Sequence, residues 1–147
     1  MTPHSISIRE DFSISLHGFS GVAARQDWAG TGKNLMDQLW QEVRSKQLPN
    51  KGLTIWVYDE GYRLFTGVEL TVPPPIGCAL VNKTVSLPRY VYSKHLGPYH
   101  EIRSAYAAVH EEFKKAGIRA GLPYVEIYGH WNDDPSKLET ELLWCIK

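Results

Sequence analysis

A chain of 147 residues, 43% apolar and 22% charged, has the size and composition of one globular unit, or of two small halves sharing a core. Sixteen basic residues balance sixteen acidic ones, so no net field draws the chain to nucleic acid or anionic lipid, and no run of like charge makes a basic stripe. No apolar run approaches bilayer length, Met1–Ser5 shows no start of a signal peptide, and Cys78 and Cys145 lack metal-ligand spacing; together these read as a cytoplasmic protein with reduced thiols.

In chain order, residues 5–25 read as strand material: Ile6, Ile8, Phe12, Ile14 and Leu16 alternate with polar residues, and Gly18 and Gly21 punctuate them. Gly30-Thr31-Gly32 then opens a helical pattern, with Leu35, Met36, Leu39, Trp40 and Val43 forming one apolar stripe. Thr31 and Asn34 compete for its N-cap, and Leu48-Pro49-Asn50 ends it. Residues 53–58 read as a strand with Thr54, Trp56 and Tyr58 on one face. Asp59-Glu60-Gly61 turns the chain into a strand from Leu64 to Val72 that carries Glu69. Pro73-Pro74-Pro75 makes a stiff connector over residues 73–77.

The same order then returns. Residues 83–96 read as a strand or a bulged pair, interrupted at Pro88. Gly97-Pro98-Tyr99 leads into a helix with Ile102, Tyr106, Val109 and Phe113 at helical spacing, and Ala116-Gly117 closes it. A strand follows at Tyr124–Tyr128, then a turn at Asn132-Asp133-Asp134-Pro135, then a last strand from Glu139 to Ile146. Residues 5–72 and 83–146 thus each read strand, helix, strand, strand. Ile55-Trp56-Val57-Tyr58 matches Val125-Glu126-Ile127-Tyr128, and Glu69 and Glu141 take equivalent places in the two last strands. Such a repeat predicts two lobes about a pseudo-twofold, with a groove at the seam.

Tyr124-Val125-Glu126-Ile127-Tyr128 carries the chemistry. Period-two geometry sends Val125 and Ile127 to one face and Tyr124, Glu126 and Tyr128 to the other. A mid-strand glutamate between two phenols is either solvated on an open sheet or the anionic floor of an aromatic pocket. Trp56 and Tyr58 join it across the pseudo-twofold, while His130-Trp131 suits either a pocket rim or loop packing. Glu69 and Glu141 fit edge or solvent-facing positions better than a second acidic pair, and Trp144 fits core or groove equally. His95, His100, His110 and His130 show no compact ligand spacing, so no metal site is expected. Gly30-Thr31-Gly32-Lys33 lacks the glycine spacing of a phosphate loop.

Leu96-Gly97-Pro98-Tyr99 entering a helix, Tyr124–Tyr128, Asp134-Pro135 and Glu139-Thr140-Glu141-Leu142 together resemble the GyrI-like small-molecule-binding family, the effector-binding domain of multidrug-responsive transcription regulators. The resemblance covers essentially all of residues 1–147 as a single domain. It implies an α+β fold: two strand-helix-strand-strand repeats in pseudo-twofold arrangement, a curved antiparallel sheet, two helices and a central groove. It also implies a stand-alone binder of bulky aromatic, often cationic compounds, with Glu126 as the pocket glutamate and no cofactor. Tyr124, Tyr128, Trp56, Tyr58 and Trp131 are wall or rim candidates from strand alternation. The family also implies two alternatives. One is a hydrolase opening strained cyclopropane rings, with Glu126 and a phenol, Tyr124 or Tyr128, as the reacting pair. The other is a gyrase-inhibitor-like protein partner, for which the sequence shows no apolar or charged stripe.

Overall fold

The computed structural model describes residues 6–147, so the reading of Met1–Ser5 lies outside the described residues. Strands β1 (Ile6–Val22), β2 (Thr54–Asp59), β3 (Arg63–Val68), β4 (Val81–Leu96), β5 (Ala120–Tyr128) and β6 (Glu139–Ile146) accompany helices α1 (Trp28–Ser45) and α2 (Ile102–Ala116). Every pairing is antiparallel, and the order β1-β3-β2-β5-β6-β4 closes into a barrel through β1 against β4. The expected α+β architecture is present, with closure as an added feature. Leu16, Ile55, Val57, Phe65, Leu87, Val125 and Leu143 fill the barrel. The opposite strand faces meet the helices, α1 over Trp56, Leu64 and Val68, and α2 over Val91, Leu142 and Trp144. No helix among the described residues is long and apolar enough to cross a membrane.

Several boundaries differ from expectation for local reasons. Helix α1 starts at Trp28, because the Asp27 carboxylate accepts the Gly30 N–H at 3.0 Å and caps it ahead of Thr31 or Asn34. It ends at Ser45, before Pro49 is reached: Gln47 turns left-handed (φ 51) and the Leu48 N–H returns to the Val43 carbonyl at 3.0 Å. Strand β4 runs through Pro88, opposite a left-handed Asp11 (φ 60) between the pairs Glu10↔Arg89 and Phe12↔Leu87. Strand β3 stops at Val68, so Glu69 lies outside it and pairs with Lys51 at 3.1 Å.

The repeat is visible in both helices. Gly32, Leu35, Leu39 and Val43 of α1 are buried at the same intervals as Ile102, Ala105, Val109 and Phe113 of α2. Trp56 and Glu126 are direct partners in the β2–β5 ladder, so the pseudo-twofold passes through that pair. Glu141 pairs with Ile127 and Phe65 with Val57, which makes Glu141 the counterpart of Phe65 rather than of Glu69.

Gly32 earns its place by contact. A Cβ there would lie 2.1 Å from the Trp56 ring, so only glycine lets α1 rest on that indole. Gly32→Ala is expected to lower stability by about 1–3 kcal/mol through overpacking, read as a shift in urea midpoint with unchanged slope.

Candidate functional site

The seam between the two repeats holds Glu126, 1% exposed, on the helix-facing side of β5. Four phenols donate to its carboxylate. Tyr58 and Tyr128 reach Oε1 at 2.6 and 2.7 Å, while Tyr124 reaches Oε2 at 2.8 Å and Tyr106 donates to the same oxygen. A carboxylate has about four lone-pair sites, and here each is occupied. Among the described residues no Lys or Arg pairs with Glu126. The negative charge is therefore buried on hydroxyl dipoles alone, without a countercharge.

Backbone geometry explains the convergence. Tyr124 and Tyr128 stand two residues either side of Glu126 on one strand face, and Tyr58 lies across the ladder from Tyr124. Tyr58 and Tyr128 are also counterparts about the pseudo-twofold, which is why both approach the same oxygen from opposite sides. Tyr106 comes down from α2. Burial first, and the Glu126 charge second, push the hydroxyls of all four phenols well above the ordinary tyrosine range.

A second ring of aromatics surrounds the first. Trp28 leans on Tyr58 (5.1 Å between centroids), Tyr99 meets Tyr128 edge-on (5.5 Å), and Trp144 stacks beneath Tyr124 (4.8 Å, 22°). Trp56 meets Tyr128 edge-on at 5.5 Å, and its buried indole N–H has no partner among the described residues. The expected groove is thus filled by side chains and closed over Glu126. A cavity of about 650 Å³ lies instead at the barrel mouth, and Glu126 does not line it.

Sequence reading anticipated Tyr58, Tyr124, Glu126, Tyr128 and Trp56, and the fold brings all five together. Trp131 does not join them: it is 71% exposed on the β5–β6 loop, with its indole N–H 3.3 Å from Asp133. Tyr106, Trp28 and Tyr99 were missed as site residues. Helical spacing places Tyr106 in the apolar stripe of α2, where it alone bears a hydroxyl. Trp28 was hidden by starting α1 too late. Glu141 stands apart on the barrel's inner face, accepting from Tyr92 at 2.7 Å. Burial and that carboxylate push the Tyr92 hydroxyl up to about 12.

The sequence model of the GyrI-like small molecule binding domain matches residues 21–147. No curated protein matches the chain in sequence. Among solved structures, the C-terminal domain of EcmrR superposes with a TM-score of 0.72 at 15% identity, covering 98% of each chain. A putative transcription regulation protein from Staphylococcus aureus MU50 gives 0.64 at 17% identity, covering 98% of this chain and 97% of that one. SAV2435 bound to tetraphenylphosphonium gives 0.57 at 17% identity, covering 98% and 93%. At these identities the structural likeness establishes the fold.

Proposed function

The chain belongs to the GyrI-like small-molecule-binding domain family, and from that premise we propose that it binds bulky aromatic cations at Glu126, as a sensor or sequestering protein for xenobiotics. The observation that carries the proposal is a buried glutamate with four phenol donors and, among the described residues, no countercharge. Such a site lacks one thing, a positive charge, and its walls are ring faces that attract cations without demanding one ligand shape. That SAV2435 was solved with tetraphenylphosphonium supports the ligand class.

Magnitudes decide how the closed site admits a ligand. A cation about 5 Å from Glu126 at an effective dielectric of about 20 gains roughly 3 kcal/mol. Each ring it faces adds about 0.5–2 kcal/mol. Swinging one phenol away sacrifices a hydrogen bond to a charged group, about 1.5–3 kcal/mol. The exchange is favourable for one displaced phenol and unfavourable for several. Ligand binding therefore repositions one or two rings and leaves the remaining phenols on the carboxylate.

The same geometry supports binding over turnover. A general base needs a lone pair free to take a proton from substrate or water, and the four phenols beside Glu126 hold their protons more tightly than an ordinary tyrosine. With one or two phenols displaced by a ligand, the remaining phenols still occupy the carboxylate, and burial shields Glu126 from solvent.

Tryptophan fluorescence titration with planar aromatic cations and tetraphenylphosphonium tests the proposal, with Glu126→Gln in parallel. Quenching at micromolar concentration that weakens by about tenfold or more in the mutant, about 1.4 kcal/mol per decade, is the expected result. Equal binding by both proteins, or none by the wild type, overturns it.

A further inference from the structure

A row of polar side chains crosses the helix-facing side of the sheet. Direct pairing places Thr66 of β3 opposite Trp56 of β2, and Trp56 opposite Glu126 of β5. Directly paired residues share a face, so three neighbouring strands present a hydroxyl, an indole N–H and a carboxylate side by side. Phe19, opposite Thr66, and Leu142, opposite Glu126, make the two ends of the row apolar.

The three polar groups are not equally satisfied. Glu126 accepts from four phenols. Trp56 is 7% exposed and Thr66 0%, yet neither the indole N–H nor the Thr66 hydroxyl has a hydrogen-bond partner among the described residues. A buried donor without an acceptor bears its desolvation with no return, so two of them side by side mark where an incoming acceptor gains most. The side chains packed around the indole include Leu35, Leu64, Trp28 and Met36, none of them charged. Tyr58 and Tyr128 flank it, at 6.2 and 5.5 Å between ring centroids, and they are also the two phenols on Oε1 of Glu126. Swinging either ring aside to admit a cation therefore opens room against the indole as well as against the carboxylate.

We infer that the Trp56 N–H, with the Thr66 hydroxyl behind it, is a second polar anchor of the Glu126 site, and that the preferred ligand is an aromatic cation carrying a neutral hydrogen-bond acceptor such as a carbonyl or ether oxygen. The inference rests on the reading that cations bind at Glu126. Strand spacing sets the ligand's dimensions: Trp56 is one strand from the carboxylate and Thr66 two, so charge and acceptor lie roughly 5–10 Å apart. Neutrality of the acceptor follows from the row as well. An anionic group would give up its hydration for two dipoles and no cation, whereas a carbonyl oxygen needs no more than an N–H and a hydroxyl supply.

The probe is tetraphenylphosphonium acetylated at the para position of one ring, set against the para-isopropyl analogue, which keeps nearly the same shape and has no acceptor. Both are titrated into the full chain, with unsubstituted tetraphenylphosphonium as the reference for the cation site. The acetyl compound should bind about tenfold more tightly than the isopropyl one, and it alone should move the Trp56 indole N–H proton resonance downfield. Trp56→Phe should erase the preference, whatever affinity both compounds lose with the ring. Thr66→Val, which keeps the side chain's shape, should reduce it several-fold. The resonance is read in the wild type, so it does not depend on how well Trp56→Phe folds. Equal binding of the two compounds, a preference that survives Trp56→Phe, or a downfield shift at a different indole would overturn the assignment and leave the cation site standing. Failure of all three phosphonium compounds to bind would remove the Glu126 reading, and this one with it.

Discussion

Raising the pH past 10 should unfold this protein abruptly. The hydroxyls of Tyr58, Tyr106, Tyr124 and Tyr128 are all held above the ordinary value near 10, by burial and then by the Glu126 charge. Below about pH 10 both folded and unfolded chains keep these protons, so the four contribute no pH dependence. Above it the unfolded chain releases them and the folded chain does not. The native state then binds more protons, and stability falls as pH rises. Each such group contributes a slope of about 1.4 kcal/mol per pH unit, so the four together approach about 5.5 kcal/mol per unit. A fold with a typical reserve of about 5–15 kcal/mol is exhausted within roughly one to three units. Absorbance at 295 nm, recorded with far-ultraviolet circular dichroism through the alkaline range, should show the site phenols ionising in one step coincident with loss of secondary structure. Gradual ionisation of all eight tyrosines with dichroism unchanged would show that the four phenols are not held as described.

How much of this could be read from residues alone depended on the range of the interaction. Tyr124, Glu126 and Tyr128 share a face because strand geometry has period two, and nothing beyond five consecutive residues is needed to see it. Tyr58 required one further step, the match between two strands of an internal repeat. Tyr106 was out of reach because helical periodicity marks a residue as inward-facing without saying what it faces. It shares its helix with the buried Ala105 and Val109, and only the docking of α2 on β5 and β6 turns its hydroxyl onto a carboxylate. Trp28 lies ahead of the expected helix start, because Asp27, four residues before Thr31, caps α1. Closure of the barrel had no local signature. It rests on β1 and β4 pairing from Ile6↔Ser93 to Gly18↔Val81, between segments far apart in the chain. Trp131 was drawn in by proximity to the key strand, but the chain leaves the sheet at Tyr128 and Asp133 holds the indole outside.

Removing the acceptor should cost more stability than removing any one donor, and the coupling between the two isolates what the cluster does. Glu126→Leu leaves four buried phenol hydroxyls facing a hydrocarbon. Two can donate to the other two, so about two stay without an acceptor, at about 1–3 kcal/mol each. The expected loss is about 2–6 kcal/mol in urea unfolding. Tyr58→Phe by contrast removes one donor and leaves three, for about 1.5–3 kcal/mol. If the phenols exist to solvate the charge, the two effects must not add. In the Glu126→Leu background the Tyr58 hydroxyl is an orphan rather than a partner, so Tyr58→Phe should there be neutral or stabilising. The double-mutant cycle then yields a coupling of about 2 kcal/mol or more, at the upper end for residues in contact. Additive losses would mean that Tyr58 contributes by packing against Trp28 and Tyr124 instead. A buried charge held only by dipoles is a costly way to fill a seam, because an all-apolar cluster of similar volume is often as stable. Retaining it makes physical sense where a cation completes the arrangement, so the same cycle repeated with saturating tetraphenylphosphonium should show a smaller Tyr58–Glu126 coupling as the ligand takes over part of the hydroxyl's role.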